Sequence, residues 1–265
     1  MTRLNWDASG ERYYENGVDR GVLYVDDVGY VWNGLVSVAE APSGGEVQSY
    51  YLDGIKYLSL ASAEEYEATI NAFSAPAQFA VCDGVKSLYQ GLFVTQQKRK
   101  PFGLSYRTMI GSDITEDAGY KVHLVYNALA APTSRSNKTL SDSPELESLS
   151  WFISAVPPIL SGEGFKPSAH FVVDSRLAPV EILTQLEDIL YGSVSADAHF
   201  PTQEEVLALF EANATVRVTD NGDGTFTVEG PDTVITDDGT GDGAFSITYS
   251  TATFIDADSY TISSL

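Results

Sequence analysis

The sequence predicts a mainly β protein with a few helices and a C-terminal β-rich extension. Residues 102–110 and 118–127 alternate apolar and polar side chains, which is the period of a strand. Asp53-Gly54 stands between two strand-forming runs, a strong signal for a two-residue hairpin turn. The 15 tyrosines and 12 phenylalanines of the 265-residue chain also favour strands.

Hairpins and one polar loop are predicted for the first part of the chain. Strand-forming runs flank Asp26–Gly29 and, further on, Asp53-Gly54. Between these hairpins lies the stretch Glu40–Glu46, whose polar and glycine-rich composition predicts an exposed loop. The residues singled out in this loop are Glu40, Pro42, Gly44, Gly45 and Glu46.

Three helices are expected beside the strands. The first is predicted over residues 62–73, where Ser62 and Glu65 match a capping box. The second is predicted over residues 180–191, with apolar side chains on one face and Gly192 after its end. The third is predicted over residues 202–211, with Thr202 and Glu205 as its capping box.

Two alternating segments define the central strands. In the first, Leu104, Tyr106, Thr108 and Ile110 share one face, and Ser105 and Arg107 share the other. In the second, Tyr120, Val122, Leu124 and Tyr126 share one face, with Lys121, His123 and Asn127 opposite. Such alternation predicts strands that are half-buried. After residue 212 the sequence consists of short strand-forming runs separated by glycine- and aspartate-rich turns. This change divides the chain into a main domain, residues 1–212, and a β-rich extension, residues 213–265.

The charge is strongly acidic but uneven. A net charge of −22 excludes a free nucleic-acid-binding protein, because phosphate contacts require lysine and arginine. Only residues 84–140 are basic, with eight basic and three acidic side chains. Two interpretations stay open: these cations pair with acidic groups of the same chain, or they meet an acidic face of a neighbouring subunit. The candidate inter-subunit contacts are Lys98, Arg99, Lys100, Arg107 and Lys121.

No motif for catalysis, metal binding or a cofactor emerges. His123, His170 and His199 show no metal-ligand spacing, and His123 is interpreted as a solvated or hydrogen-bonded side chain on a polar strand face. The segments Asp220–Gly224 and Asp237–Gly243 fit tight turns better than calcium or phosphate loops. We therefore expect a protein that is not an enzyme and that needs no cofactor.

The start of the chain and its cysteine content bear on location. No signal-peptide pattern begins the sequence, and no apolar run is long enough to span a bilayer, so no membrane insertion is expected. Cys82 is the only cysteine, which excludes a disulfide within the chain and suits assembly in a reducing compartment.

Several segments together resemble the major tail proteins of long-tailed bacteriophages, of the kind found in phages of actinobacteria. The stretches Phe102–Asp113 and Gly119–Asn127 are similar to paired segments of that family. Further segments resemble the family and occur in the same order along the chain: Tyr51–Tyr57 and Cys82–Gly84 upstream, and Ser141–Glu145, Ser150-Trp151 and Phe254–Tyr260 downstream. The resemblance covers nearly the whole chain, and its specificity comes from the ordered combination.

The resemblance implies a tail tube subunit whose fold is a β-sandwich or barrel with flanking helices. Such subunits form hexameric rings that stack into a tube, and an early loop reaches the adjacent ring, a role that here would belong to Glu40–Glu46. The implied partners are other copies of the chain, a tape-measure protein, tail terminator and distal tail proteins, and genomic DNA that passes through the lumen without specific binding. The implied location is the virion tail, assembled in the host cytoplasm.

Two other function classes remain beside the tube subunit. The glycine- and aspartate-rich loops at 220–243 and the many tyrosines suggest a carbohydrate-binding or adhesin-like β-module. The 37 acidic residues also leave room for a hydrolase that uses two carboxylates, although no pair is selected by the sequence.

Overall fold

A computed structural model describes residues 6–139, 146–159 and 166–211, and beyond residue 211 only the backbone of the helix and strands bounded below. The strands of the first part are β1 (Tyr13–Val25), β2 (Val28–Val31), β3 (Leu35–Glu40), β4 (Ser43–Gly44), β5 (Val47–Leu52), β6 (Ile55–Ala61), β7 (Glu64–Ala72), β8 (Lys86–Tyr89), β9 (Leu92–Val94), β10 (Phe102–Ser112), β11 (Gly119–Ala130), β12 (Leu149–Ala155) and β13 (His170–Asp174). A short 3₁₀ helix covers Ala77–Val81, and two α-helices follow, α1 (Val180–Tyr191) and α2 (Gln203–Ala214). The mainly β prediction is confirmed.

Nine strands form one large sheet. Its main path runs β2-β1-β10-β11-β12-β7-β3, with β13 added beside β11 and β4 beside β7. The two central strands pair antiparallel over most of their length, with Tyr106 opposite His123. Leu35 of β3 lies so close to Gly21 of β1 that a Cβ on Gly21 would come within 2.6 Å of it. The sheet is therefore strongly curled, because strands from opposite ends of its order meet there.

Both predicted hairpins close with two-residue turns. Asp26 and Asp27 have φ values of 53° and 62°, and Asp53 and Gly54 have values of 51° and 77°. Positive φ at both central positions belongs to the type I′ turn, whose twist matches that of paired strands. The turn chemistry of these four residues thus sets the register of β1 with β2 and of β5 with β6.

The main core lies on one face of the sheet. Trp32, Phe79 and Trp151 pack ring to ring, with centroids 4.9–5.9 Å apart. Leu104 and Tyr106 join them from β10. Tilted and edge-on rings at these separations are the favourable arrangement for buried aromatic groups.

The opposite face of the central strands is also covered. Tyr24 points to that face, where its ring lies 4.9 Å from Phe200 and its hydroxyl donates to the carbonyl of Leu190 at 2.7 Å. Ser105 is fully buried there and Arg107 is nearly so. The expectation that β10 is half-buried is therefore wrong, because both of its faces are covered.

The helix predicted over residues 62–73 is also wrong. Residues 64–72 form β7, which pairs with β12 and β3. Ala68, Ile70 and Ala72 are buried at every second position. The spacing from Tyr66 to Ile70 is four residues, which fits a strand face as well as a helix face. Hydrogen bonding of this segment to β12 on one edge and to β3 on the other therefore makes it a strand.

The predicted loop Glu40–Glu46 belongs to a strand system. Glu40 ends β3, and the two-residue strand β4 pairs with β7. Gly44, at φ 80°, makes the backbone follow that pairing, since a Cβ there would meet the carbonyl oxygen of Ala63 at 2.3 Å. The chain then continues directly into the hairpin β5–β6.

The chain divides into two compact units, Met1–Ala178 with Asp188–Phe200, and Pro179–Glu187 with Pro201–Leu265. Both C-terminal helices agree with prediction. Gly192, at φ 83°, follows the end of α1. Before α2, the Thr202 amide donates to Glu205 and the Glu205 amide donates to Thr202, at 2.8 and 3.2 Å, which completes the capping box.

Short strands follow α2 in the second unit. Their bounds are β14 (Thr215–Asp220), β15 (Phe226–Glu229), β16 (Val234–Asp237), β17 (Phe245–Tyr249), β18 (Thr251–Ala252) and β19 (Thr261–Ser264). β14 and β15 pair antiparallel, as do β16 and β17. The turn at 221–225, most of Asp237–Gly243, and the Ser141–Glu145 and Phe254–Tyr260 segments lie outside the described residues.

Candidate functional site

A polar cluster joins three strands of the large sheet, with His123 buried and the Glu40 side chain 37% exposed. Glu40 stands at the end of β3, His123 in β11 and His170 at the start of β13. Nδ1 of His123 lies 3.1 Å from Nε2 of His170 and 3.6 Å from Oε1 of Glu40. Nδ1 of His170 lies 3.9 Å from Oε2 of the same carboxylate. Among the residues that the structure describes, this is the one group of three potential metal ligands close enough to share an ion.

Neighbouring side chains hold the cluster in place. The Tyr106 hydroxyl donates to Oε1 of Glu40 at 2.6 Å. The Tyr106 ring also stacks on His123, with an interplanar angle of 4°. The other ring nitrogen of His123, Nε2, lies 3.0 Å from Oγ1 of Thr108. Tyr66 packs on His170 with ring centroids 4.7 Å apart. The orientation of each imidazole is thereby fixed.

Burial controls the protonation of these groups. It lowers the pKa of His123 to about 4, with His170 adding to the shift and Glu40 opposing it. Burial likewise lowers the pKa of His170, against the attraction of Glu40. Both rings are therefore neutral at physiological pH, because a charged imidazolium would lose its hydration. Burial first, then Tyr66 and Glu40, raise the pKa of Tyr106, which stays a hydrogen-bond donor.

Sequence spacing gives no hint of this cluster. His123 and His170 are 47 residues apart, and the carboxylate comes from the far end of the strand order. His123 lies opposite Tyr106 in the register, so it points to the core face. It is only 7% exposed, and the interpretation of a hydrogen-bonded side chain is right whereas that of a solvated one is wrong.

Four of the five candidate inter-subunit cations form ion pairs inside the chain. Arg107 pairs with Asp19, and its Nη2 lies 2.7 Å from Oδ2. Three further pairs join Arg99 to Asp83, Lys100 to Asp26 and Lys121 to Glu15. Lys98 is exposed. Internal pairing, one of the two interpretations of the basic segment, therefore accounts for these four side chains.

A second feature is the hairpin arm, defined as β5 and β6, residues 47–61. Every residue of both strands is exposed, on both faces. Its exposed large apolar side chains are Val47, Tyr50, Tyr51, Leu52, Ile55, Tyr57, Leu58 and Leu60. The shorter hairpin β8–β9 also exposes apolar side chains, namely Leu88, Tyr89, Leu92 and Phe93. Large apolar side chains exposed in this number make the hairpin arm a candidate interaction surface.

The sequence resemblance maps onto neighbouring elements. Phe102–Asp113 covers β10, and Gly119–Asn127 covers the part of β11 that pairs with it. Tyr51–Tyr57 forms the tip of the hairpin arm. Within the described part of the chain, no helix is long and apolar enough to cross a bilayer.

Comparison with known proteins gives matches among solved structures alone. No family model matches the chain, and no curated protein matches it. One similar structure is the anti-feeding prophage cap (AFP tube terminating cap), 12% identical with a TM-score of 0.30, covering 59% of this chain and 89% of that chain.

Two others come from a PVC extracellular contractile injection system in the extended state. The sheath-tube complex is 14% identical with a TM-score of 0.27, covering 58% of this chain and 88% of that chain. The sheath/tube terminator is 13% identical with a TM-score of 0.26, covering 58% and 96%. With TM-scores of this size, these three similarities carry no argument about function.

Proposed function

We propose that this protein is a structural subunit of a phage tail tube of the long-tailed, siphophage type. Six copies form a ring, and rings stack into a tube that delivers DNA. It is not an enzyme and needs no cofactor for this role. The ordered sequence resemblance supports the proposal, and the hairpin arm is the structural observation that carries it.

The hairpin arm requires a partner to be stable. A two-stranded hairpin with no covered face is marginal in water, and eight large apolar side chains are exposed on this one. A partner that covers it removes apolar area from solvent, worth about 25 cal/mol per Å². In this proposal the arm therefore forms one side of an interface with a partner.

The partner is a second copy of this chain. An arm that inserts into a different patch of the next copy makes a head-to-tail contact, which produces closed rings or open stacks. The arm emerges directly after Glu40–Glu46, so it, and not a loop at those residues, takes the predicted role of reaching the adjacent ring. The short edge strand β2 is a candidate for joining sheets within a ring.

The acidic charge suits a channel for DNA. Carboxylates at the lumen repel phosphate over about one Debye length, roughly 8 Å at physiological ionic strength. DNA then passes without binding, and the tape-measure protein occupies the lumen before ejection. Tail terminator and distal tail proteins cap the two ends of the tube.

The test is the assembly state of the purified full-length protein. Analytical ultracentrifugation and negative-stain microscopy should show rings or tubes with a channel. Replacing residues 47–61 by a short glycine-containing turn should leave folded subunits that form no long tubes. A wild-type protein that stays monomeric and is missing from virions would refute the proposal. Normal tubes from the arm-less variant would refute the role of the arm.

The carbohydrate-binding alternative depends on loops at 220–243, whose side chains lie outside the described residues. A glycan array with the full chain and with a chain ending at residue 212 separates the two functions. Glycan binding that is lost on truncation, by a protein that does not assemble, would favour the adhesin-like module.

A further inference from the structure

The distances in the Glu40–His123–His170 cluster match those of a coordination shell. Two nitrogen ligands about 2.0–2.1 Å from a tetrahedral Zn²⁺ are about 3.3 Å apart. Nδ1 of His123 and Nε2 of His170 are 3.1 Å apart, and Nδ1 of His123 is 3.6 Å from the carboxylate of Glu40. Small side-chain shifts would bring all three atoms to bonding distance of one ion.

The surrounding hydrogen bonds are those that a metal-ligating histidine uses. Such a histidine donates its second ring N–H to a fixed acceptor, which sets the tautomer and the ring orientation. Oγ1 of Thr108, 3.0 Å from Nε2 of His123, is placed to accept from that nitrogen, which leaves Nδ1, 3.1 Å from Nε2 of His170, as the atom that would face the ion. Tyr106 similarly anchors the Glu40 carboxylate.

The three ligands and their surroundings restrict which metal ions the cluster could bind. Two imidazoles and one carboxylate suit Zn²⁺ and the other late first-row divalent ions, whereas Mg²⁺ and Ca²⁺ prefer oxygen ligands alone. The Glu40 side chain is 37% exposed, so solvent has a path to the cluster.

We propose that Glu40, His123 and His170 form a binding site for a divalent transition metal ion, with Zn²⁺ as the best fit and a fourth position open to water. The ion would tie the end of β3 to β11 and β13. Glu40 pairs with Ala68 of β7, and β4 lies between Glu40 and the start of the hairpin arm at Val47.

The test uses untagged full-length protein, stripped with a chelator that is then removed. Titration with Co²⁺ should produce the visible absorption bands of a low-coordinate cobalt site at one ion per chain, and Zn²⁺ should displace it. Zn²⁺ should also raise the melting temperature, because it binds the folded state. Absence of the cobalt spectrum in the wild-type protein would overturn the proposal.

Variants locate the site. Glu40→Gln keeps an acceptor for Tyr106 but loses the charge, and His170→Gln removes a ligand. Each should weaken metal affinity by about tenfold or more. His199→Gln is the matched control, because His199 lies outside the cluster, and it should bind as the wild type does. Unchanged binding by folded His170→Gln protein would contradict the assignment.

A measurement on the wild-type chain guards against variants that fail to fold. Nitrogen NMR of labelled histidines should show Zn²⁺-dependent shifts for two of the three imidazoles. Shifts at His199 alone, or at none, would overturn the site. The result does not depend on tube formation, since binding is measured per chain whether or not the subunits assemble.

Discussion

Arg107 of β10 and Asp19 of β1 form a two-point ion pair, with Nε to Oδ1 at 2.9 Å and Nη2 to Oδ2 at 2.7 Å. The guanidinium also lies 4.3 Å from the ring centroid of Tyr120. Parallel N–H donors on one carboxylate give the strongest form of this interaction. A cation expected at a subunit boundary is thus held between two strands of its own sheet.

Asp19→Asn should destabilise the fold through this pair. Removing the partner of a buried charge costs about 3–5 kcal/mol. The Asp19 side chain is 42% exposed, so water reduces the cost, and we expect the free energy of unfolding to fall by about 1–3 kcal/mol. Urea unfolding followed by tryptophan fluorescence measures the difference.

Glu15→Gln supplies the control for that measurement. It breaks the Lys121–Glu15 pair, which joins the same part of the sheet at a more exposed position. Exposed ion pairs contribute about 0–1 kcal/mol. If both substitutions cost the same, burial of Arg107 does not set the strength of its pair.

Local sequence signals predicted the strands and turns well because their causes are local. The alternation in β10 and β11 reflects side chains on two faces, and Asp53-Gly54 supplies the positive φ that its turn requires. The error at residues 62–73 has a physical origin. A capping box and an i, i+4 apolar pair describe a helix start, but hydrogen bonding to two neighbouring strands outweighed them.

The polar cluster was beyond sequence analysis for a different reason. Its three members come together only through the curl of the sheet and through the pairing of β11 with β13. The alternation of β11 predicts a half-buried strand, but alternation assigns residues to faces and does not say which face is covered. The register that sets His123 opposite Tyr106 decides that question.

Tyr24→Phe should weaken the contact between β1 and the last turn of α1, on the face of the central strands opposite the main core. The Tyr24 hydroxyl donates to the Leu190 carbonyl, in the last turn of α1, where carbonyls lack partners within the helix. Leaving that buried acceptor unpaired should lower the free energy of unfolding by about 1–3 kcal/mol. Thermal unfolding by circular dichroism measures it.

Tyr89→Phe is the matched control, because it removes a hydroxyl from an exposed tyrosine of β8. It should change stability by no more than about 0.5 kcal/mol. Equal effects of the two substitutions would contradict the role given to the Tyr24 hydrogen bond.

Charge reversal at the neighbouring residues Lys98 and Arg99 should separate assembly from folding. Arg99 donates to Asp83 and to the carbonyl of Ala130, each at 3.1 Å, so Arg99→Glu should lower stability. Lys98 is exposed, so Lys98→Glu should leave stability unchanged and weaken assembly, more strongly at low salt, where charges act over longer distances. Sedimentation at two salt concentrations tests this, and unchanged assembly at both would remove Lys98 from the interface.

Ile55 and Ile114 offer a matched test of the hairpin arm. Ile55 lies at its tip and is 73% exposed, and Ile114 lies in the turn between β10 and β11 and is 71% exposed. The Ile55→Glu and Ile114→Glu proteins should both fold normally, since surface substitutions away from special features usually shift stability by about 0.5 kcal/mol or less. A charge desolvated at an interface is costly unless it is paired.

Ile55→Glu should therefore shorten or abolish tubes at protein concentrations where the wild type assembles, and Ile114→Glu should not. Sedimentation velocity gives the fraction assembled, and negative-stain microscopy gives the tube lengths. Assembly that is equally reduced by both substitutions would point to added negative charge on an already acidic subunit as the cause. Assembly lost with Ile114→Glu alone would move the contact from the arm to the β10–β11 turn.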